Sequence, residues 1–427
     1  AASDVYKRQA FVRVSDTTLA RLVLAILAGG KRSARRTAKK IGALSQPLPT
    51  AKKRADDSWC IILPGRVGEM GTGALPDLGK LEAALLNVSG ETKLDARFRT
   101  LFTLKGLGSM SDDRRERVIE IISKGFADDS ALLKHELAYV LGQLQDTRAL
   151  EKLNKVLSDE QEHTMVRHEA AEAMGAISSP QSLPILKKYL EDPDVSIRET
   201  CHLAIHKIEL ENSDAGRKEA ELKRQRESTH EDAIAAAARA TAPIDPAPAL
   251  VQGARGDEGA EVNVYTLENV PYFREVLLDT SRTLFDRYRA MFALRDTVKY
   301  GSPEAKEPSV QALASALKDN SALFRHEICF VFGELCHPSS AAAMTAVLND
   351  EAEHEMVRHE AAEALGGVLE EADEAGEELS TYDKVVQALQ RWAHDDAAPR
   401  VVRESCVVAL DEIAYNNDPT QFHRVEA

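Results

Sequence analysis

MVRHEAAEAMG, Met165–Gly175, returns as MVRHEAAEALG at Met356–Gly366, and nine consecutive residues, Met165–Ala173 and Met356–Ala364, are identical. Helix formation alone cannot require this, because ordinary residues differ in helix propensity by less than about 1 kcal/mol. Variants of the same stretch occur throughout the chain. Set on the basic residue before each His-Glu position, they fall at Arg99, Lys134, Arg167 and Arg198, at intervals of 35, 33 and 31. The series restarts at Arg289, Arg325, Arg358 and Arg403, at intervals of 36, 33 and 45, the last lengthened by an acidic insertion around 370–380. The offsets between the halves are 190, 191 and 191 for the first three anchors, so the second half is a copy of the first.

Each unit reads as two helices. An amphipathic one such as Ala149–Leu157 or Ser339–Leu348 precedes an acidic turn and then the quoted helix. Apolar residues in the second helix recur at helical spacing, as in Leu137, Val140, Leu141 and Leu144. One hairpin cannot bury such a stripe alone, so neighbours must stack. The expected fold is all-α: an α-solenoid of eight HEAT-like hairpins in two pseudo-symmetric four-repeat halves, 79–210 and 263–416. Residues 211–262, with KEAELKRQRE followed by a Pro/Gly-bearing stretch, read as a charged and then mobile linker, and 417–427 as a tail.

Composition narrows the function classes. Aromatic residues make up only 5% of the 427 residues, which favours helices. The net charge of −15 combines a basic start with an acidic remainder: residues 1–54 carry 13 Lys or Arg against Asp4 and Asp16. Residues 1–78 are expected to be a basic extension, poorly ordered or a fragment remnant. The acidic body argues against nucleic acid as the main ligand and suits a cationic one. Five cysteines without Cys-x-x-Cys spacing point to a reducing compartment and give no zinc or iron-sulfur pattern. The apolar run Leu19–Ala28 is far shorter than the roughly 20 residues a membrane span needs.

Four His-Glu pairs occupy one phase of the repeat: His135-Glu136, His168-Glu169, His326-Glu327 and His359-Glu360. Two other pairs, His230-Glu231 and His354-Glu355, stand outside it and measure the background. The outermost repeats of each half lack the pair, so packing between repeats does not demand it. Imidazoles and carboxylates without thiolates disfavour structural zinc and suit iron or manganese. His135 with His168, and His326 with His359, can each converge on an ion from neighbouring helices. A polar ladder between repeats is the bland alternative. Lys134, Arg167, Arg325 and Arg358 fit that ordinary role better, as hydrogen-bond or ion-pair residues between repeats. His163 and His354 read as turn residues rather than ligands.

DDSALLKHELAYVLGQLQD, EHTMVRHEAAEAMGAI, DNSALFRHEICFVFGEL and EHEMVRHEAAEALGGV, with LDARFRTLFTLKGLG at Leu94–Gly108, closely resemble the deoxyhypusine hydroxylase family. The resemblance covers about residues 80–210 and 263–416. It implies a non-haem di-iron monooxygenase that uses two Fe ions and dioxygen to hydroxylate deoxyhypusine on the translation factor five A precursor. Under it, His135, His168 and Glu169 are expected at one iron and His326, His359 and Glu360 at the other. Glu136 and Glu327 either ligate iron or hold a substrate amine. Met165 and Met356 form an apolar wall of the pocket or fill the core. A cytoplasmic monomer without nucleic-acid or membrane partners is expected. A non-catalytic HEAT scaffold is the alternative from another class.

Overall fold

The computed structural model describes residues 50–53, 59–62, 76–228, 242–251, 264–367 and 380–417. Among the described residues, those from Leu78 onward belong to one compact unit and those before it to another. In the latter, strands β1 (Thr50–Lys53) and β2 (Trp59–Ile62) pair antiparallel, with Thr50 opposite Ile62 and Lys53 opposite Trp59.

The body consists of helical hairpins. In the first half these are α1 (Leu78–Leu85) with α2 (Leu94–Gly108), α3 (Asp112–Lys124) with α4 (Ala131–Gln143), α5 (Leu150–Ser158) with α6 (Thr164–Ile177), and α7 (Leu183–Lys188) with α8 (Val195–Glu211). A charged helix, α9 (Asp214–Ser228), follows. The second half pairs α10 (Val270–Leu278) with α11 (Leu284–Tyr300), α12 (Pro303–Ser315) with α13 (Ala322–Leu335), α14 (Ala341–Asn349) with α15 (Glu355–Gly366), and α16 (Thr381–Ala393) with α17 (Arg400–Asn417). The second helix of each hairpin packs on the second helix of the next, and one continuous apolar core runs through both halves. Such stacking buries the stripe that no single hairpin could cover.

The basic residues fasten the stack. Arg167 donates from Nε to Leu157 O at 3.0 Å, closing its own hairpin, and pairs through Nη2 with Asp192 Oδ2 of the next at 2.7 Å. Arg358 donates likewise to Leu348 O at 3.1 Å and lies 4.3 Å over the Trp392 ring. In the first hairpin of each half this place is taken by Arg97, which donates to Leu85 O, and Arg287, which donates to Leu277 O. The alignment through Arg99 and Arg289 is therefore two residues out of step there. Phe98-Arg99 and Tyr288-Arg289 stand where the central repeats carry His-Glu.

The two halves meet at both ends. Helix α8 contacts α11 and α13, while α17 contacts α2 and α4. The seams are mates: Ser321 Oγ donates to Glu199 Oε2 at 2.6 Å, and Ser130 Oγ donates to Glu404 Oε2 at 2.7 Å. Glu199 and Glu404 follow the anchors of the outermost repeats, so the missing histidines leave carboxylates that close the arms on each other. Arg99 adds an ion pair to Asp411 at one seam. Of the expected linker, residues 211–228 and 242–251 are described, and 229–241 and 252–262 lie outside the described residues. Residues 242–251 are docked on the body, with Ala247 fully buried and Ala249 and Leu250 in the core.

Candidate metal centre

Closing the arms brings α4 and α6 opposite α13 and α15. Gly142 lets α4 and α6 approach closely, since a Cβ there would meet Ala173 Cα at 2.7 Å. His135 and His168 then point inward from adjacent helices, their ring centroids 5.5 Å apart, and His326 and His359 match them at 5.3 Å. Across the halves, His135 lies 5.2 Å from His359 and 6.1 Å from His326, and His168 lies 5.4 Å from His326. The four imidazoles form one buried cluster.

The carboxylates repeat the symmetry. Glu169 Oε2 stands 3.3 Å from His135 Nε2, and its mate Glu360 Oε2 stands 3.5 Å from His326 Nε2. Within the described residues, three sets of donors lie close enough to share an ion: His135 with His168 and Glu169; His135 with His326 and His359; and His359 with Glu360 and Glu363. The first is a trio that the sequence brings together. The second draws from both halves. The third includes Glu363, which sequence reasoning missed. Its mate Glu172 was missed too, although both lie one turn beyond the second histidine, inside the repeated nine residues, where i and i+4 share a helix face.

Both ring nitrogens of all four histidines are buried without a hydrogen-bond partner, as are Glu136 Oε2 and Glu327 Oε1. An unmade bond of this kind costs about 1–3 kcal/mol. Even leaving aside the nitrogens that stand near a carboxylate, the cluster would cost several kcal/mol, a large share of the stability of a domain. A polar ladder would have spent these groups on one another, whereas metal coordination would satisfy them. Burial, then neighbouring imidazoles, hold His168, His326 and His359 well below the ordinary histidine range, which leaves them neutral, as metal ligation requires. Burial also works against protonation of His135, but Glu169 and Glu136 outweigh it and hold that imidazole well above its ordinary value. Burial raises the carboxyls of Glu169 and Glu360, and raises those of Glu172, Glu327 and Glu363 further.

A narrow cleft opens beside the donors, lined by His135, Glu136, Glu169, Glu172, His326, Glu327 and Glu360, with Tyr139, Phe330, Ile244 and Pro246 as its less polar wall. Met165 and Met356 lie in the apolar core, outside the residues that line the cleft. His163 and His354 cap α6 and α15, each Nδ1 accepting from the backbone N–H two residues on, at 3.3 and 3.2 Å.

HEAT repeats are matched at residues 116–205 and 310–411. The deoxyhypusine hydroxylase of Mycosarcoma maydis is 57% identical over 351 residues, covering 81% of this chain and 97% of that protein. The chain belongs to the deoxyhypusine hydroxylase family. The Drosophila melanogaster member is 44% identical over 329 residues, covering 77% of this chain and 89% of that protein. The solved structure of human deoxyhypusine hydroxylase in complex with glycerol is 40% identical, with a TM-score of 0.60, and covers 79% of this chain and 96% of that one. Membership makes the chain an enzyme, and the non-catalytic scaffold is not favoured. Among the described residues no helix is long and apolar enough to cross a membrane.

Proposed function

We propose that the chain hydroxylates the deoxyhypusine side chain of the translation factor five A precursor, completing hypusine, with two non-haem irons in the cleft and dioxygen as co-substrate. The observation that carries this reading is the convergence of four buried imidazoles from both halves, their ring nitrogens without hydrogen-bond partners, beside an acidic cleft that His135 and His326 line. We assign His135, His168 and Glu169 to one iron and His326, His359 and Glu360 to the other, in keeping with the mated His-Glu contacts at 3.3 and 3.5 Å. When bound, the irons would activate dioxygen, since attack on an unactivated C–H bond needs an oxidant that no side chain supplies. One oxygen atom enters the C–H bond and the other leaves as water, with two electrons and two protons drawn from a cellular reductant.

Binding and positioning fall to the protein. Deoxyhypusine is a lysine lengthened by an aminobutyl group, so it carries two ammoniums joined by methylenes. Glu136 and Glu327 face the cleft with buried oxygens that no protein donor satisfies, and charge-assisted bonds to those ammoniums would satisfy them. Each holds an amine and so fixes which carbon faces the donor layer. The four described cysteines are free, which fits a reducing compartment; the chain is proposed to act in the cytoplasm as a monomer. The test is incubation of the iron-loaded chain with the deoxyhypusine-bearing protein and a reductant under air. The substrate should gain the mass of one oxygen atom, and no gain with iron bound would sink the reading.

A further inference from the structure

We infer that the proline-rich segment 242–251 supplies a third wall of the substrate channel, and that Ile244 and Pro246 set the length of side chain the enzyme accepts. The inference rests on the hydroxylation proposed above and concerns the substrate's methylenes rather than its amines.

His135, Tyr139 and Gln143 follow at four-residue steps on α4, so they climb one helix face by about 6 Å per step. His326, Phe330 and Glu334 do the same on α13. The facing columns make three layers. Imidazoles form the first, and Tyr139 and Phe330, with centroids 6.2 Å apart, form the second. Gln143 and Glu334, related by the 191-residue offset, form the third.

The segment crosses this third layer and is tied to both columns. The Ile244 N–H donates to Gln143 Oε1 at 3.0 Å. Asp245 takes the fork of Arg295, with Nη2 to Oδ2 at 2.8 Å, while Arg295 Nη1 reaches Glu334 Oε2 at 2.9 Å. Beyond it, Arg289 Nε donates to Pro248 O at 3.1 Å, and the Leu250 N–H returns a bond to Arg289 O at 2.8 Å. Pro243, Pro246 and Pro248 restrict the backbone, so holding this shape costs little entropy. Held by Gln143 directly and by its mate Glu334 through Arg295, the segment presents Ile244 and Pro246 to the cavity that Tyr139 and Phe330 also line.

The result is an apolar collar above an acidic floor. A long methylene chain carrying ammoniums fits that gradient: the ammoniums are drawn to Glu136 and Glu327, and the methylenes lie between the aromatic pair and the segment. One methylene against an apolar wall changes discrimination by about 10–200-fold, so the collar measures length.

The experiment compares the precursor protein carrying an aminobutyl-lysine with the same protein carrying an aminopropyl-lysine. The wild-type chain, Ile244→Ala, Ile244→Trp and Asp245→Asn are assayed, and iron is quantified in each. Iron content should match wild type throughout. The wild-type chain should prefer the aminobutyl form by about tenfold or more in kcat/KM. Ile244→Ala should bring that preference toward parity, Ile244→Trp should reverse it, and Asp245→Asn, which lines no part of the cavity, should raise KM with kcat little changed. An unchanged preference in Ile244→Ala, or an unchanged KM in Asp245→Asn, overturns the inference. Loss of iron in Ile244→Ala also overturns it, by assigning the segment to the metal layer. An iron-loaded wild-type chain that hydroxylates neither substrate sinks the parent reading instead.

Discussion

On α6, Glu172 stands one turn beyond His168 and lines the cleft; on α15 its mate Glu363, one turn beyond His359, is 1% exposed and accepts from Ser405 Oγ at 3.1 Å. The difference has a local cause. The residue on α8 that corresponds to Ser405 is Thr200, whose hydroxyl donates to its own helix at Ser196 O, 2.8 Å away, and is spent. Above them Tyr139 faces Phe330, and Gln143 faces Glu334. The halves thus agree in the imidazole layer and diverge one turn away from it. Two like ions call for a duplicated donor set, whereas a substrate with a head and a tail calls for unlike walls.

Several substitutions can break or sharpen that comparison. If the donor layer is shared, His168→Ala and His359→Ala should be equally severe, each lowering iron content and activity by more than about 100-fold, beyond what partners of ligands cost, with circular dichroism unchanged. Loss of iron in one alone would break the symmetry, and unfolding in both would restore the polar ladder. Next come the divergent mates. Glu363→Gln, acting through the 3.5 Å contact of its carboxylate with His359 Nδ1, should weaken iron binding by about 10–100-fold, whereas Glu172→Gln should leave iron in place and raise KM. Equal effects on iron titration would erase the distinction.

Glu136→Gln and Glu327→Gln should each keep the iron and raise KM by about tenfold or more, the value of a hydrogen bond to a charged group. An emptied site in either would make that residue a ligand. At the seams, Ser130→Ala and Ser321→Ala should each cost about 1 kcal/mol in urea melts, and a cost confined to one would mean the seams are not equivalent.

The smallest effect comes from a contact without a twin. His163 Nε2 lies 3.3 Å from Glu355, but Thr164 occupies the place of Glu355 in the first half. The bond from His163 is the main cause that lowers the Glu355 carboxyl below its ordinary 4.5, against the opposing effect of burial. A depressed carboxyl contributes stability that is present above its ordinary value and is lost as pH falls through the lowered one. Denaturation midpoints of wild type and Glu355→Gln should therefore differ near neutrality and converge in acid.

The sequence made the repeated helix, the restart after the linker and the four in-phase His-Glu pairs legible, because helical periodicity and a fixed offset survive in one dimension. Glu172 and Glu363 were within reach, since the nine identical residues include them and a four-residue step places them beside the histidines. The two-residue slip at Arg99 and Arg289 was harder to see, because arginines two apart offer the same letter and only the bond back to the preceding helix distinguishes them. Segment 242–251 carries no periodicity at all. Its prolines read as a tether, and its docking depends on Gln143, Arg289 and Arg295, which are far away in sequence.

The central claim is tested most directly by measuring iron and product in one sample of the intact chain. Iron quantitation should give two irons per chain, and mass spectrometry of the deoxyhypusine-bearing substrate should show the gain of one oxygen atom that disappears when the iron is chelated. A folded chain that takes up no iron, or hydroxylates the substrate equally well without it, would contradict the account.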